Sequence, residues 1–252
     1  MTSLLAFILL QVSILGSGPE TSIRIFLTSP QHSPGIYRVN VVLKTNPGWH
    51  TYWQNPGDSG LPPSIRWTLP DGWQAGSLNF PAPEAFVTPS EVTFGYPDSL
   101  WFYQDIKPSD QQITTSVTGS LRWLVCKEEC VPGRFSFTLS LPGLSELANA
   151  PDPDFPGNLP LLNGSWKQAE TGIGIRVPGL PNPTAELRIF PENAGVLELH
   201  ANPAEREGEE AIWNFQPFSP VTPVPDTFYM VVVWKESAGQ MGRRVLINRL
   251  QE

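Results

Sequence analysis

Leu121-Arg122-Trp123-Leu124-Val125-Cys126-Lys127-Glu128-Glu129-Cys130-Val131-Pro132-Gly133-Arg134-Phe135-Ser136-Phe137-Thr138-Leu139 decides how this chain folds. The runs 121–125 and 135–139 are rich in β-branched and aromatic residues with partial alternation, which is a strand signal. Between them sit two cysteines around a charged tip, Lys127-Glu128-Glu129. In one extended strand, residues four apart are separated by ~13 Å at about 3.3 Å per residue. A disulfide needs Cα atoms roughly 4.4–6.8 Å apart. A bond between Cys126 and Cys130 therefore requires a turn. A hairpin with 127–129 at its tip supplies one. An i, i+4 helical pair also puts both on one face, but both flanks read as strands.

The same pattern extends in both directions. Upstream, 23–27 and 37–43 read as strands, as does 113–117 just before the hairpin. The stretch 50–108 holds most of the tryptophans and many prolines, and it is expected to be ordered by aromatic packing instead of regular ladders, because proline cannot donate to a ladder. At Ala148-Asn149-Ala150-Pro151-Asp152-Pro153-Asp154-Phe155-Pro156-Gly157 the β-formers give way to Pro, Asp and Gly, which reads as a linker. Strand signals resume at 173–177, 185–190, 196–200, 211–215 and 227–234. No segment has a convincing amphipathic helical pattern. Many short strands separated by turns predict an all-β protein. The expected organisation is a leader over 1–18, one β domain over 20–147, a linker over 148–162 and a second β domain over 163–252.

Composition limits the function. The chain has 252 residues, of which 40% are hydrophobic and 11% aromatic. Its 28 prolines and 21 glycines make up 49 residues, a turn-rich composition short of a disordered one. Sixteen basic residues against 24 acidic ones give a net charge of −8. That sign argues against nucleic acid and against an anionic membrane surface as partner. The run Leu4-Leu5-Ala6-Phe7-Ile8-Leu9-Leu10, continued by Val12, Ile14 and Leu15, has the length of a signal-peptide core and is too short to span a bilayer. Gly16, Ser17 and Gly18 follow as a cleavage region, although no Lys or Arg precedes the apolar run. The expected location is outside the cytoplasm.

The cysteine pair admits several chemistries. A staple closing so small a loop contributes little, since the entropic stabilisation grows with loop length. A dithiol that opens and closes through a mixed disulfide is the other reading. Lys127 and Arg122 favour thiolate, whereas Glu128 and Glu129 oppose it. A metal site is poorly supported, because His32, His50 and His200 are scattered without paired ligand spacing. No serine elbow, glycine-rich phosphate loop or HExxH motif occurs.

Five blocks in fixed order carry a resemblance: Gly48-Trp49-His50-Thr51-Tyr52-Trp53-Gln54-Asn55-Pro56-Gly57-Asp58-Ser59-Gly60-Leu61-Pro62-Pro63, then Leu69-Pro70-Asp71-Gly72-Trp73, Phe80-Pro81-Ala82-Pro83, Thr93-Phe94-Gly95-Tyr96, and 123–132. They resemble the N-terminal periplasmic region of the DsbD-like thiol:disulfide interchange proteins, and most of all the suppressor-of-copper-sensitivity branch. Trp213-Asn214-Phe215-Gln216-Pro217-Phe218-Ser219-Pro220 resembles the region that follows in that branch. The resemblance implies tandem immunoglobulin-like β-sandwiches in the periplasm, the first carrying a redox pair that matches Cys126 and Cys130. It implies a cap over that pair, with Phe94 and Tyr96 as the shield. Tyr52 and Trp53 fall in the block that lines the site. Asn55-Pro56-Gly57-Asp58 reads as a turn by its own chemistry, and His50 is left outside the active set.

The implied function is protein-disulfide reduction, with electrons passing from a separate membrane carrier to periplasmic thioredoxin-fold proteins or disulfide isomerases. Cys130 is the implied attacking sulfur and Cys126 the resolver. Neither an organic cofactor nor a metal is expected, because the dithiol itself carries both electrons. The alternative is a secreted, non-enzymatic β-sandwich that binds a partner and keeps the disulfide as a permanent staple.

Overall fold

A computed structural model describes residues 13–250 except 34, 110–114, 171, 181–185, 199–204, 208–209, 220–222 and 237–238. The strands in chain order are β1 (Ser13–Gly18), β2 (Thr21–Pro30), β3 (Tyr37–Thr45), β4 (His50–Gly57), β5 (Ser64–Thr68), β6 (Gln74–Asn79), β7 (Glu84–Val87), β8 (Val92–Pro97), β9 (Ser99–Lys107) and β10 (Ser116–Cys126). They continue as β11 (Cys130–Ser140), β12 (Asn149–Ala150), β13 (Leu162–Ala169), β14 (Gly172–Pro178), β15 (Leu187–Pro191), β16 (Glu205–Glu207), β17 (Glu210–Phe215), β18 (Thr227–Glu236) and β19 (Gly239–Arg249). The helical elements among the described residues are single 3-10 turns at Leu144–Glu146 and Pro156–Asn158. The fold is all-β, of immunoglobulin-like sandwich type.

By packing, the chain forms two compact units. Unit 1 takes Met1–His50, Pro63–Asn79 and Asp98–Asp152, and unit 2 takes Thr51–Pro62, Phe80–Pro97 and Pro153–Glu252. Segments 51–62 and 80–97 pack with the C-terminal half. The physical cause is strand partnership. β7 and β8 form a hairpin, and Asn55 and Phe94 find their partners at Pro191 and Phe190.

In unit 1, one sheet runs β1-β2-β3-β9-β6, with the short β12 on β2. Alternation explains β2, where Ile23, Ile25 and Leu27 are buried while Ser22 and Arg24 are exposed. β10 pairs along its length with β11 and over residues 118–122 with β5. Its inward residues Val117, Leu121, Trp123 and Val125 belong to the core, with Val39, Val41 and Phe102 of the other sheet. In unit 2 the order β15-β18-β19-β13-β14-β17-β16 makes one sheet over a cluster that includes Trp166, Ile175, Trp213, Phe215 and Met230.

Several expectations are corrected, and others fall wholly or partly outside the described residues. The stretch 50–108 contains regular strands, β4 to β9, because its prolines fall mostly between strands or at their ends and leave the ladders intact. Residues 196–198 form no strand beyond an isolated bridge between Leu197 and Pro217, while 199–200 lie outside the described residues. Of the expected run 113–117, residues 113–114 lie outside the described residues and 116–117 begin β10, which continues without a break through 121–125. Residue 185 of the run 185–190 is likewise outside the described residues. Of the expected leader, 1–12 lie outside the described residues, and Ser13–Gly18 is β1, paired from Ser13↔Phe26 to Gly18↔Thr21. Gly16 and Gly18 leave room there for the rings of Phe135 and Trp123.

The linker segment is tied to unit 1. Ala148 and Ala150 accept backbone hydrogen bonds from Ser29 and Gln31. Arg38, whose side chain is 5% exposed, donates to Asp105 at 2.8 and 2.9 Å and also to Asp152. It lies 3.9 Å over the Tyr103 ring. Burial opposes its charge, but the Asp105 and Asp152 hydrogen bonds outweigh that and hold its pKa above the ordinary arginine value.

Candidate functional site

Cys126 ends β10 and Cys130 begins β11, and the two are register partners. The expected hairpin is present. Lys127–Glu129 make the turn, with the Lys127 N–H donating to the Glu129 carbonyl at 3.3 Å. The Cα atoms are 4.2 Å apart and the sulfurs are bonded. Directly opposed residues of an antiparallel pair share a face, so the disulfide crosses the hairpin at its end. Burial separates the two cysteines: Cys126 is 6% exposed, while Cys130 is exposed.

Trp123, 3% exposed, lies over Gly133, where any Cβ would collide with the indole, and its Nε1 donates to Thr21 Oγ1 at 3.1 Å. On the approach to β4, Gly48 adopts φ +83°, a left-handed conformation suited to glycine, and the Lys127 side chain runs beside it. β4 then opens with His50, which is the register partner of Cys126. Cys130, Cys126 and His50 thus form one row across β11, β10 and β4. Sequence reasoning set His50 aside, and the signal that finds it is register between strands distant in sequence.

The four aromatic candidates lie in unit 2, and all are buried there. Phe94 of β8 meets Phe190 edge-on at 4.9 Å between centroids, and Trp53 of β4 meets Phe94 and Phe190 at 6.4 and 6.3 Å. Sequence reasoning missed Phe190, the third member of this trio. The Tyr96 hydroxyl donates to the Pro81 carbonyl at 2.8 Å, and burial pushes its phenol well above the usual value. Tyr52 lies against Gly60, and burial, helped by Glu91, raises its phenol too. β8 approaches β4 closely, since a Cβ on Gly95 would strike the Thr51 carbonyl. Asn55–Gly57, expected as a turn, ends β4 instead. The Asn55 side chain accepts from the Gly57 N–H at 3.1 Å and donates to the Pro191 carbonyl at 2.7 Å.

Residues 25–142 match the family model described as the N-terminal part of the thiol:disulfide interchange protein DsbD. Those residues are similar to a DsbD-type N-terminal region. The region contains both cysteines, His50 and all four aromatic candidates. The crystal structure of the N-terminal periplasmic domain of ScsB from Proteus mirabilis is similar to the chain at a TM-score of 0.68 and 18% identity, covering 96% of this chain and all 100% of that one. At that identity the likeness is one of fold, and it extends beyond the DsbD-type region. A conserved domain protein from Bacillus anthracis matches at a TM-score of 0.24 and 7% identity over 95% of this chain and 90% of its own. The titin tandem domains A164-A165 match at 0.21 and 10% identity over 94% of this chain and 100% of theirs. Both are too distant to add to the fold. No curated protein matches the chain.

Proposed function

We propose that the protein is a periplasmic thiol–disulfide interchange module that reduces disulfides of thioredoxin-fold partners, drawing electrons from a separate membrane carrier. The observation that carries this reading is the asymmetric pair inside a region that matches the DsbD N-terminal model, with one cysteine exposed at a hairpin tip and the other buried beside it. In this reading 20–147 holds the redox function, 148–162 connects, and 163–252 is a second sandwich.

The chemistry follows from that asymmetry. The exposed Cys130 thiolate attacks a partner disulfide, forming a bond from Cys130 to one partner sulfur and releasing the other as thiolate. Cys126 must then lose its proton, and a buried thiol resists ionisation. His50, the register partner of Cys126, is the candidate acceptor of that proton. The Cys126 thiolate attacks the Cys130 sulfur, the mixed disulfide breaks, and the second partner sulfur leaves as thiolate. The partner gains two electrons and two protons, and Cys126–Cys130 is oxidised. Reduction by the membrane carrier reverses these steps.

Phe94 and Tyr96 are proposed as the shield over the pair, with Tyr52 and Trp53 lining the site. The block order in the sequence supports this assignment. Phe94 is held by Phe190 and Tyr96 by Pro81, so displacing either ring costs packing within unit 2.

Single-cysteine variants test the reading. Cys126→Ser should accumulate a mixed disulfide with a thioredoxin-fold protein supplied oxidised, while Cys130→Ser should not. Absence of any adduct from Cys126→Ser, with the fold intact by circular dichroism, would leave a stapled binding module.

A further inference from the structure

The strands that carry the cysteines also carry a charge pattern for which the exchange chemistry has no use. β5, β10 and β11 contain Arg66, Arg122 and Arg134 and no Asp or Glu, in a chain of net charge −8. All three arginines are exposed, and among the described residues none has an ion pair. Ser64, Arg122 and Arg134 form one cross-strand row, and Arg66, Ser120 and Ser136 form the next. Alternate residues of a strand share a face. Arg122 and Ser120 are therefore on the face of Cys126, and Arg134 and Ser136 on that of Cys130. The opposite face, with Leu121, Trp123 and Val125, is core.

Folding alone does not favour this arrangement. Arg122 and Arg134 are direct register partners, and like charges so opposed destabilise a sheet. Among the described residues, Arg134 Nε donates to Ser120 Oγ at 3.2 Å, which relieves the pair only in part. The turn beside the disulfide has the opposite balance, with Lys127 against Glu128 and Glu129, so the positive field belongs to the sheet and not to the tip. Arg122 lies four residues from Cys126, about 13 Å along the strand. Next to the arginines a groove of about 360 Å³ is lined by Arg66, Thr68, Thr118, Ser120, Ser136 and Thr138.

We propose that this outer face of β5, β10 and β11 is the docking surface for the exchange partner, and that the partner is a protein carrying acidic side chains beside its own disulfide. The assignment rests on the interchange reading. The field of the arginines is screened over a Debye length of about 8 Å at physiological salt, so the partner's acids must come down onto the sheet, which orients its disulfide towards Cys130.

The test uses three synthetic disulfide-bonded peptides that flank the reactive cysteine with aspartates, serines or lysines. Reduced protein should react with the aspartate peptide at least about tenfold faster than with the lysine peptide at low salt, within the range of electrostatic steering. That gap should close at high salt and in Arg66→Gln/Arg122→Gln/Arg134→Gln. The triple variant should change the serine-peptide rate far less than the aspartate-peptide rate, with its circular dichroism reporting an intact fold. Glu128→Gln/Glu129→Gln should widen the gap. Equal rates for the aspartate and lysine peptides, or an unchanged gap in the triple variant, would overturn the docking surface while leaving interchange standing. Should no peptide react, binding of the aspartate peptide with serine in place of cysteine, followed by NMR, still decides it. Salt-sensitive shifts confined to β5, β10 and β11 support the surface, and their absence overturns it.

Discussion

Cys126 and Cys130 are four residues apart and chemically unlike, because β10 ends in the interior and β11 begins in solvent. On mild reduction Cys130 should therefore be alkylated first, by roughly tenfold or more, a gap that one unit of thiol pKa is enough to produce. Peptide mapping after a short iodoacetamide pulse reads it, and equal labelling would contradict the assigned roles. His50→Gln should leave the first step with a partner unchanged and slow the second, so that mixed disulfide accumulates. The ultraviolet thiolate absorbance of Cys126 in a Cys130→Ser background should titrate at higher pH once His50 is replaced. An unmoved titration would remove His50 from the mechanism. Phe94→Ala removes a ring packed against Trp53 and Phe190 and should cost about 3–5 kcal/mol by urea denaturation. As a shield, Phe94 also predicts that this variant's disulfide is reduced faster by dithiothreitol, a readout that loss of packing elsewhere in unit 2 would not move.

At the scale of elements, the β10–β11 hairpin was legible because its signals are local: alternating runs, a charged tip and a spacing that forces a turn. The row Cys130–Cys126–His50 was not, since it depends on β4 aligning with β10 across more than 70 residues of chain. The prolines of 50–108 misled for the opposite reason, as local composition hid ladders that proline interrupts only at their ends. The linker was recognised by composition, yet its attachment to unit 1, through β12 on β2 and through Asp152 to Arg38 of β3, depends on long-range contacts. Arg38→Met should free that attachment at a cost on the order of 3 kcal/mol, low in the range for a broken buried pair because Asp105 and Asp152 are partly exposed. Limited proteolysis should then cut near 148–158 while the β10–β11 amides keep their hydrogen-exchange protection. Unchanged cleavage would show that β12 holds without the arginine.

For the whole molecule, fold class and family were readable from five ordered blocks, while the distribution of the chain between two packed units was not. Segments 51–62 and 80–97 join unit 2 through contacts such as Asn55 to Pro191 and Phe94 to Phe190, which no local pattern announces. The exchanging pair and the basic sheet face belong to unit 1, and the aromatic trio belongs to unit 2. The central claim is that Cys126–Cys130 opens and closes in function, and its redox midpoint tests that claim most directly. Thiol trapping of the purified protein across dithiothreitol and glutathione buffers should give a midpoint between roughly −180 and −280 mV, the range of exchanging dithiols. A midpoint well below about −300 mV, where structural disulfides lie, would contradict it.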